Sequence, residues 1–281
     1  MGNTQTREVM NGMAVYEHDN GDVYSGEWLD DKQHGLGVYR YKGGDVYSGG
    51  FHEHKACGSG VFDFKNGAAY SGEFVDGEAN GNGVHDYKSG DIYTGEWKDG
   101  ERNGLGVYYN RNGNVYSGEW RNHKYNGVGV YDYEDGDVYY GEFRNDKLHG
   151  FGVHSSKRAG VFSGEYRDHK ANGVGVYDDK VGNVFSGEFR DSKLHGHAIF
   201  KAVVGEKTFE VWEFGEQKSS VPFDPNNNTH RDVEQRAQAA KVRALRASIV
   251  VERQSALCPP TFALLHLTTS FRAEEGYSAV R

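Results

Sequence analysis

Proline, cysteine and long apolar runs are scarce in this 281-residue sequence, which has four prolines and two cysteines. Cys57 and Cys258 lie far apart and offer no disulfide framework, which favours a reducing, intracellular compartment. No apolar run reaches the roughly 20 residues of a transmembrane helix, and no signal peptide is recognisable. We therefore expect neither secretion nor a membrane span.

Basic charge is also in short supply. The chain has 41 Asp and Glu against 32 Lys and Arg, a formal net charge of −9. Residues 231–281 hold eight basic and five acidic residues, so residues 1–230 carry −12. Nucleic-acid binding needs a basic stripe, and its absence argues against that function. The same acidity argues against adhesion of this region to anionic lipid by bulk charge.

Glycine and aromatic residues are abundant, with 40 Gly, 19 Tyr and 15 Phe, and they repeat with a fixed period. An aromatic residue recurs every 23 residues, at Tyr24, Tyr47, Tyr70, Tyr93, Tyr116, Tyr139, Phe162 and Phe185. A glycine follows two residues later, and two further on comes a second aromatic, at Trp28, Phe51, Phe74, Trp97, Trp120, Phe143, Tyr166 and Phe189. A fixed period of this length indicates a repeat architecture.

Each 23-residue unit predicts a β-hairpin. Aromatic, glycine and aromatic at alternate positions share one face of a strand, and the other face carries residues such as Val23, Ser25 and Glu27. The glycines leave room for a ring to lie against bare backbone. Dipeptides such as Asn20-Gly21 between units predict type I′ turns. Stacked hairpins bury one another's rings, so we expect an all-β, elongated, twisted, single-layer antiparallel sheet.

The unit resembles the MORN repeat, the membrane occupation and recognition nexus. The resemblance rests on Tyr24-Ser25-Gly26-Glu27-Trp28, followed by His34-Gly35-Leu36-Gly37, and it covers roughly residues 11–200 with about eight copies. A half-unit, Asn11–Tyr16, opens the array, and a degenerate strand around Phe209–Phe214 closes it. The family's loop glycine survives only at Gly77 and Gly100, and Gly50 replaces the usual glutamate.

The segments outside the array predict little further structure. We expect a flexible N-terminus over 1–10, the array over 11–214, a linker over 215–230, a helix over 231–256 and a poorly ordered tail over 257–281. Thr229 with Asp232 is typical of a helix N-cap. The apolar residues of the helix recur at helical spacing, at Val242, Leu245 and Ile249. Its basic residues, which predict a basic face, are Arg236, Lys241, Arg243 and Arg246.

No catalytic residue, metal site or cofactor is predicted. A glutamate precedes the second aromatic in seven of the eight units. A catalytic carboxylate pair needs two contrasting environments, whereas seven equivalent copies indicate a structural or surface role. The loop histidines recur at two repeat positions without the close spacing of metal ligands. The segments that flank the array are also too short for a catalytic domain.

The aromatic face is the predicted partner-binding surface. A single-layer sheet has no second layer to cover this face, so a row of exposed rings would form a groove for an apolar helix. The predicted rings are Tyr24, Trp28, Tyr47, Phe51, Tyr70, Phe74, Tyr93, Trp97, Tyr116, Trp120, Tyr139 and Phe143.

The resemblance implies a non-enzymatic scaffold that docks protein partners in the cytoplasm, in cytoskeletal or ciliary assemblies. The alternative is a peripheral membrane module that binds phospholipid. It is suggested by Met1-Gly2 and Thr6, which fit the N-myristoylation pattern at Gly2. One acyl chain binds a membrane only weakly, so this alternative needs a second signal. A third interpretation, a regulatory subunit of a separate enzyme, would use the scaffold's surfaces.

Overall fold

The computed structural model describes residues 9–257, with side chains described up to Ile249. Within this range nineteen strands precede one helix. The elements are β1 (Gly12–Glu17), β2 (Val23–Leu29), β3 (Lys32–Arg40), β4 (Val46–His52), β5 (Lys55–Asp63), β6 (Ala69–Val75), β7 (Glu78–Asp86), β8 (Ile92–Lys98), β9 (Glu101–Tyr109), β10 (Val115–Arg121), β11 (Lys124–Asp132), β12 (Val138–Arg144), β13 (Lys147–Ser156), β14 (Gly160–Arg167), β15 (Lys170–Asp179), β16 (Val184–Arg190), β17 (Lys193–Lys201), β18 (Lys207–Glu213), β19 (Glu216–Pro222) and α1 (Asn228–Leu257).

The strands form one open antiparallel sheet in which each strand pairs with the next one along the chain. In the first complete unit Tyr24 lies opposite Tyr39 and Gly26 opposite Gly37, and the register shifts just after Gly26. The same arrangement recurs in the later units. The opening half-unit is β1, which pairs along its length with β2. The predicted sheet of stacked hairpins and the C-terminal helix are confirmed.

Type I′ turns lie inside the units. Asp30 and Asp31 join β2 to β3, and both have positive φ, at +49° and +64°. Positive φ at both central residues of a two-residue turn is type I′ geometry. The residue equivalent to Asp31 is glycine at Gly77 and Gly100, the two positions where the family's loop glycine survives.

The Asn-Gly dipeptides between units form a different turn, and the type I′ prediction for them was wrong. Five residues, His18 to Asp22, separate β1 from β2, which is too many for a two-residue turn. The N–H of Gly21 donates to the carbonyl of His18 over 2.8 Å. Only the glycine of the Asn20-Gly21 pair has positive φ, at +86°. This is the longer hairpin loop in which a left-handed glycine follows a turn.

The segment predicted as a linker, 215–230, contains strand β19. This strand pairs with β18, and its residues are exposed, as suits a polar strand at the edge of a sheet. The helix begins at Asn228, three residues earlier than predicted. Its N-cap is Asn227 rather than Thr229, because the Asn227 Oδ1 accepts the backbone N–H of Thr229 over 2.9 Å.

Helix α1 lies across β10 to β17 on the face opposite the aromatic rings. The residues that it buries are small and recur at helical spacing, at Val233, Ala237, Ala240 and Ala244. The predicted apolar face is wrong, since Val242, Leu245 and Ile249 are 42–50% exposed. Alanine lets the helix approach the sheet closely, and the larger residues therefore point outward.

Candidate partner-binding groove

The two aromatic residues that the 23-residue period located in each unit, Tyr24 and Trp28 in the first, form what we call the first aromatic row. This row is the core of the array. In each of the first six complete units the two predicted rings are buried, from 0% exposed at Tyr24 to 7% at Trp28. Rings of neighbouring units meet edge to face, as Tyr24 and Phe51 do with their centroids 4.9 Å apart. The same contact recurs along the array, for example between Tyr93 and Trp120 at 5.0 Å. These contacts tie each hairpin to the next.

The glycines make room for these rings. The Tyr24 ring lies over Gly26 and Gly37, and a Cβ atom on Gly37 would come within 2.4 Å of the phenolic oxygen. Lying there, the Tyr24 hydroxyl donates to the carbonyl of Glu27 over 2.9 Å. The prediction that the strand glycines admit a ring is confirmed, and the ring belongs to the same unit.

The twelve rings predicted to line an exposed groove are all buried, although Tyr47, Phe51 and Phe74 still line part of a cavity on this face. They are not exposed because each is covered by the next hairpin and by a second row of rings from the following strand. Members of this second row also recur every 23 residues, at Tyr16, Tyr39, Phe62, His85, Tyr108, Tyr131, His154, Tyr177 and Phe200. The same period that located the first row is the signal that could have located the second.

The second row is only partly covered, and it lines a groove on the aromatic face. Tyr16 is 41% exposed, and Tyr41, a ring two residues beyond the second row, is 39% exposed. Tyr41 follows directly after β3, and its ring touches that of Tyr39 on the same strand, with their centroids 4.6 Å apart. The groove therefore has an aromatic wall above the buried first row.

Two cavities open in this groove. One of about 460 Å³ lies near the N-terminal end, between Tyr39, Phe62 and Ala56. The other, of about 540 Å³, lies near the C-terminal end and includes Tyr177 and Ala171. Each is large enough to accept apolar side chains of a partner.

Arg102 and Tyr125 occupy the floor between the two cavities. They stand at the repeat position that holds alanine at Ala56 and Ala171. The Arg102 guanidinium lies over the Trp120 ring, 4.4 Å from its centroid, and donates to the backbone carbonyl of His123 over 2.9 Å. Large side chains here divide the groove.

Two second-row side chains, Tyr39 and His85, are uncharged at neutral pH. Burial, together with its hydrogen bond to Asp22, raises the pKa of Tyr39 to about 12. Burial, assisted by the nearby Arg102 guanidinium, lowers the pKa of His85 to about 4. Both side chains are therefore neutral at pH 7, and the cation of Arg102 stands among aromatic rings.

The repeated glutamates have a structural role in this arrangement. The Glu27 carboxylate accepts the backbone N–H of Leu36 over 3.0 Å, and Glu96 accepts that of Leu105 over 2.9 Å. Loop histidines also bind backbone, since the Nδ1 of His123 accepts the N–H of Arg102 over 3.3 Å. Among residues 9–257 no cluster of three or more metal-ligating side chains occurs.

Two of the sequence predictions concern membranes. No helix in the described part of the chain has the length and apolar character to cross a bilayer. Gly2, the predicted acylation site, lies outside the described residues.

Comparison with known proteins finds the MORN repeat along most of the array. The family model for the MORN repeat matches eight segments of the chain. They are residues 24–46, 47–69, 70–92, 93–115, 116–138, 139–157, 162–184 and 185–205. The short gap at 158–161 falls where the sequence Lys157–Gly160 departs from the pattern. Each match begins at the first of the two first-row rings in its unit, such as Tyr24.

Solved structures resemble the chain only distantly, and no curated protein matches it. The wild-type TCP10 domain of Danio rerio CPAP has a TM-score of 0.41 at 10% identity, covering 74% of this chain and 99% of that one. The SAS-4 (dCPAP) TCP domain of Drosophila melanogaster, solved with a proline-rich motif of Ana2, has a TM-score of 0.32 at 9% identity, covering 74% and 95%. The repeat matches cover more than half of the sequence, and the chain belongs to the MORN repeat family.

Proposed function

We propose that this chain is a non-enzymatic scaffold that docks protein partners along its MORN array. The observation that carries the proposal is the groove on the aromatic face, with its wall of partly exposed rings and its two cavities. Grooves lined by aromatic rings suit the apolar face of an amphipathic helix, whose anchor residues enter separate pockets. An apolar helix of a partner protein is the proposed occupant.

The cavities set requirements for this occupant. Their centres lie near β5 and β15, ten strand spacings apart, which corresponds to roughly 48 Å of sheet. One straight helix would need about 32 residues to reach both cavities. Arg102 between them also favours an acidic or aromatic side chain at the middle of the partner.

The groove can be tested by filling each cavity with a side chain that the array already holds at that repeat position. Ala56→Arg copies Arg102, and Ala171→Tyr copies Tyr125. In proximity labelling in the native cell, we expect both variants to label fewer of the proteins that wild type labels, because the partners that dock in the groove no longer bind. Val204→Arg, at an exposed loop position, should label the same proteins as wild type. An unchanged partner set in both filled variants would refute the groove, and labelling no stronger than background would refute the scaffold.

We further propose a cytoplasmic location in a cytoskeletal or ciliary assembly, because the resemblance to MORN-repeat scaffolds supports it. Proximity labelling would name the assembly directly. Phospholipid binding through an acylated Gly2 is the alternative, and the acidic array weighs against it. Co-sedimentation of acylated and unmodified protein with phosphoinositide vesicles tests this alternative, and binding by the unmodified protein would favour it over a pure protein scaffold.

A further inference from the structure

The face of the sheet opposite the rings carries its own periodic row. Every unit places a β-branched aliphatic residue on this face, three residues after the first glycine of its Gly-x-Gly segment or at the equivalent place in the opening half-unit. We call these residues the valine row: Val15, Val38, Val61, Val84, Val107, Val130, Val153, Val176 and Ile199.

Helix α1 covers only one end of the valine row. Beneath the helix Val153, Val176 and Ile199 are 8%, 0% and 2% exposed. At the other end Val15 is 69% exposed and Val61 is 37% exposed. The five members from Val107 to Ile199 are buried and the four before Val107 are not, so burial ends one strand beyond those that α1 covers.

Other apolar residues extend the uncovered end. Met13 is 76% exposed and Leu36 is 67% exposed, and both lie on the same face as the valine row. We call this surface, on the units that α1 does not cover, the open strip: Met13, Val15, Leu36, Val38, Val61 and Val84. Contiguous apolar surface of this kind marks an interaction site in a soluble protein.

The contacts of α1 show what this face binds. Arg236 approaches Glu188 at 3.5 Å, and five residues later the Nζ of Lys241 binds Asp178 at 2.8 Å. Between these two cations Ala237 and Ala240 face the sheet and are buried. The face therefore accepts a helix with small residues toward the sheet and cations at its sides.

The same acidic pair recurs at the open strip. Glu96 and Asp86 stand four repeats before Glu188 and Asp178, at the same repeat positions. No ion pair to either is found in the part of the chain that the structure describes, and burial raises the pKa of the Asp86 carboxyl. Residues 9–109 as a whole hold seventeen acidic against eight basic residues. A cationic occupant would match both the specific pair and the surrounding charge.

We propose that the open strip is a second docking surface, which binds a cationic helix of a partner protein in the way that the later repeats bind α1. The helix presents alanine-sized residues to the sheet and two cations five positions apart to Asp86 and Glu96. The surface from β1 to β8 spans roughly 34 Å, the length of about 22 helical residues. This surface lies on the opposite side of the sheet from the groove and does not depend on the groove being used.

A labelled peptide of residues 228–257 is the probe, because it carries the alanine stripe and the cation pair. In the full chain the tethered α1 holds its own site at high effective concentration, so added peptide meets the open strip. Fluorescence anisotropy should show saturable binding to the full-length protein. Val61→Asp with Val84→Asp should weaken this binding by at least about tenfold, because a charge replaces apolar contact at the centre of the interface. Glu96→Gln with Asp86→Asn should weaken it several-fold and reduce its dependence on salt.

Matched controls separate this proposal from the groove and from loss of folding. Val204→Asp makes the same change at an exposed loop position and should leave binding unchanged. A peptide with Ala237→Glu and Ala240→Glu should not bind, and the groove variants Ala56→Arg and Ala171→Tyr should bind the original peptide normally. Unaltered thermal unfolding of the Val61→Asp, Val84→Asp protein would show that the strip variant is folded.

Four results would overturn the proposal. They are the absence of saturable binding, binding that survives the strip substitutions, binding that emerges only after residues 258–281 are deleted, and self-association that Val61→Asp abolishes. The third would make the chain's own C-terminal segment the occupant, and the fourth would make a second copy the occupant. None of these results would bear on the scaffold function proposed for the groove. That function is tested separately, by the proteins that the variants Ala56→Arg and Ala171→Tyr no longer label.

Discussion

The phenol ring of Tyr93 rests on Gly106, and a Cβ atom at residue 106 would come within 2.3 Å of the Tyr93 hydroxyl oxygen. The hydroxyl reaches past this glycine to donate to the carbonyl of Glu96 over 2.9 Å. The repeat therefore depends on two bare backbone positions, Gly95 and Gly106, which face each other across the hairpin.

Gly106→Ala should destabilise the array. The methyl group would push the Tyr93 ring out of its contact with Trp120, and overpacking of this kind costs about 1–3 kcal/mol. The denaturation midpoint in urea measures the effect. Gly43→Ala is the matched control, since nothing lies within 4 Å of a Cβ there. Equal midpoints for the two variants would contradict the proposed role of the glycine.

Asp146 affects the free energy of unfolding in two opposite ways, through backbone strain and through a hydrogen bond to the preceding repeat. Its φ is +66°, and its Oδ1 accepts the backbone N–H of Tyr125 over 2.8 Å. Asp146→Ala keeps the strained φ and loses the hydrogen bond, so we expect a loss of about 1–2 kcal/mol. Asp146→Gly relieves the strain and should stay within about 1 kcal/mol of wild type. Thermal unfolding of the two variants measures this difference. A glycine variant less stable than the alanine variant would contradict the proposed strain at residue 146.

Ala237→Asp should detach α1 from the sheet. Ala237 is fully buried, and a carboxylate there has no described partner to offset its lost hydration. We expect faster amide exchange in β13 to β16, with local stability reduced by about 2–4 kcal/mol, and unchanged exchange in β2 to β7. Ala239→Asp, on the exposed side of the helix, should leave all strands unchanged. Faster exchange throughout the array would contradict a local role for the helix.

His85 should make the array less stable in mild acid. Its pKa is about 4 in the folded chain against an ordinary value near 6.5, so the unfolded chain binds the extra proton between these values. Stability is therefore unaffected by His85 above about pH 6.5 and falls as pH drops toward about 4, by at most about 2 kcal/mol after solvent screening.

His85→Phe isolates this contribution, because Phe62 occupies the same repeat position one unit earlier. The variant should show a flatter loss of stability between pH 6.5 and 4 in urea titrations at each pH. Parallel profiles for wild type and variant would mean that the ring is already protonated in the folded array or that it is solvated.

Local sequence predicted the hairpins but not the turn that closes each one. The Asp30-Asp31 turn has no strong local preference for positive φ, whereas Asn20-Gly21 does. The two-residue spacing between β2 and β3 imposes type I′ geometry on the aspartates. The five-residue connection before β2 leaves Asn20-Gly21 in a longer loop. Strand pairing across the sheet overrode the dipeptide preference.

The rings predicted to be exposed on the aromatic face are the buried ones. Tyr24 and Trp28 carry the most regular signal, and a regular aromatic in a repeat is the residue that packs against the next copy. The partly exposed ring is Tyr39, from the strand that pairs with Tyr24. Burial depends on what the next hairpin covers, and a single unit does not contain that information.

The sequence by itself determined the repeat, its 23-residue register and the antiparallel pairing of neighbouring strands, because these follow from short-range periodicity. Only the tertiary structure decided which face α1 covers and which units it leaves open. The helix binds through Ala237 and Ala240, whose apolar signal is weak, while the stronger signal of Leu245 faces outward. Close approach to the valine row favours small side chains, and that requirement arises only once the helix and the sheet meet.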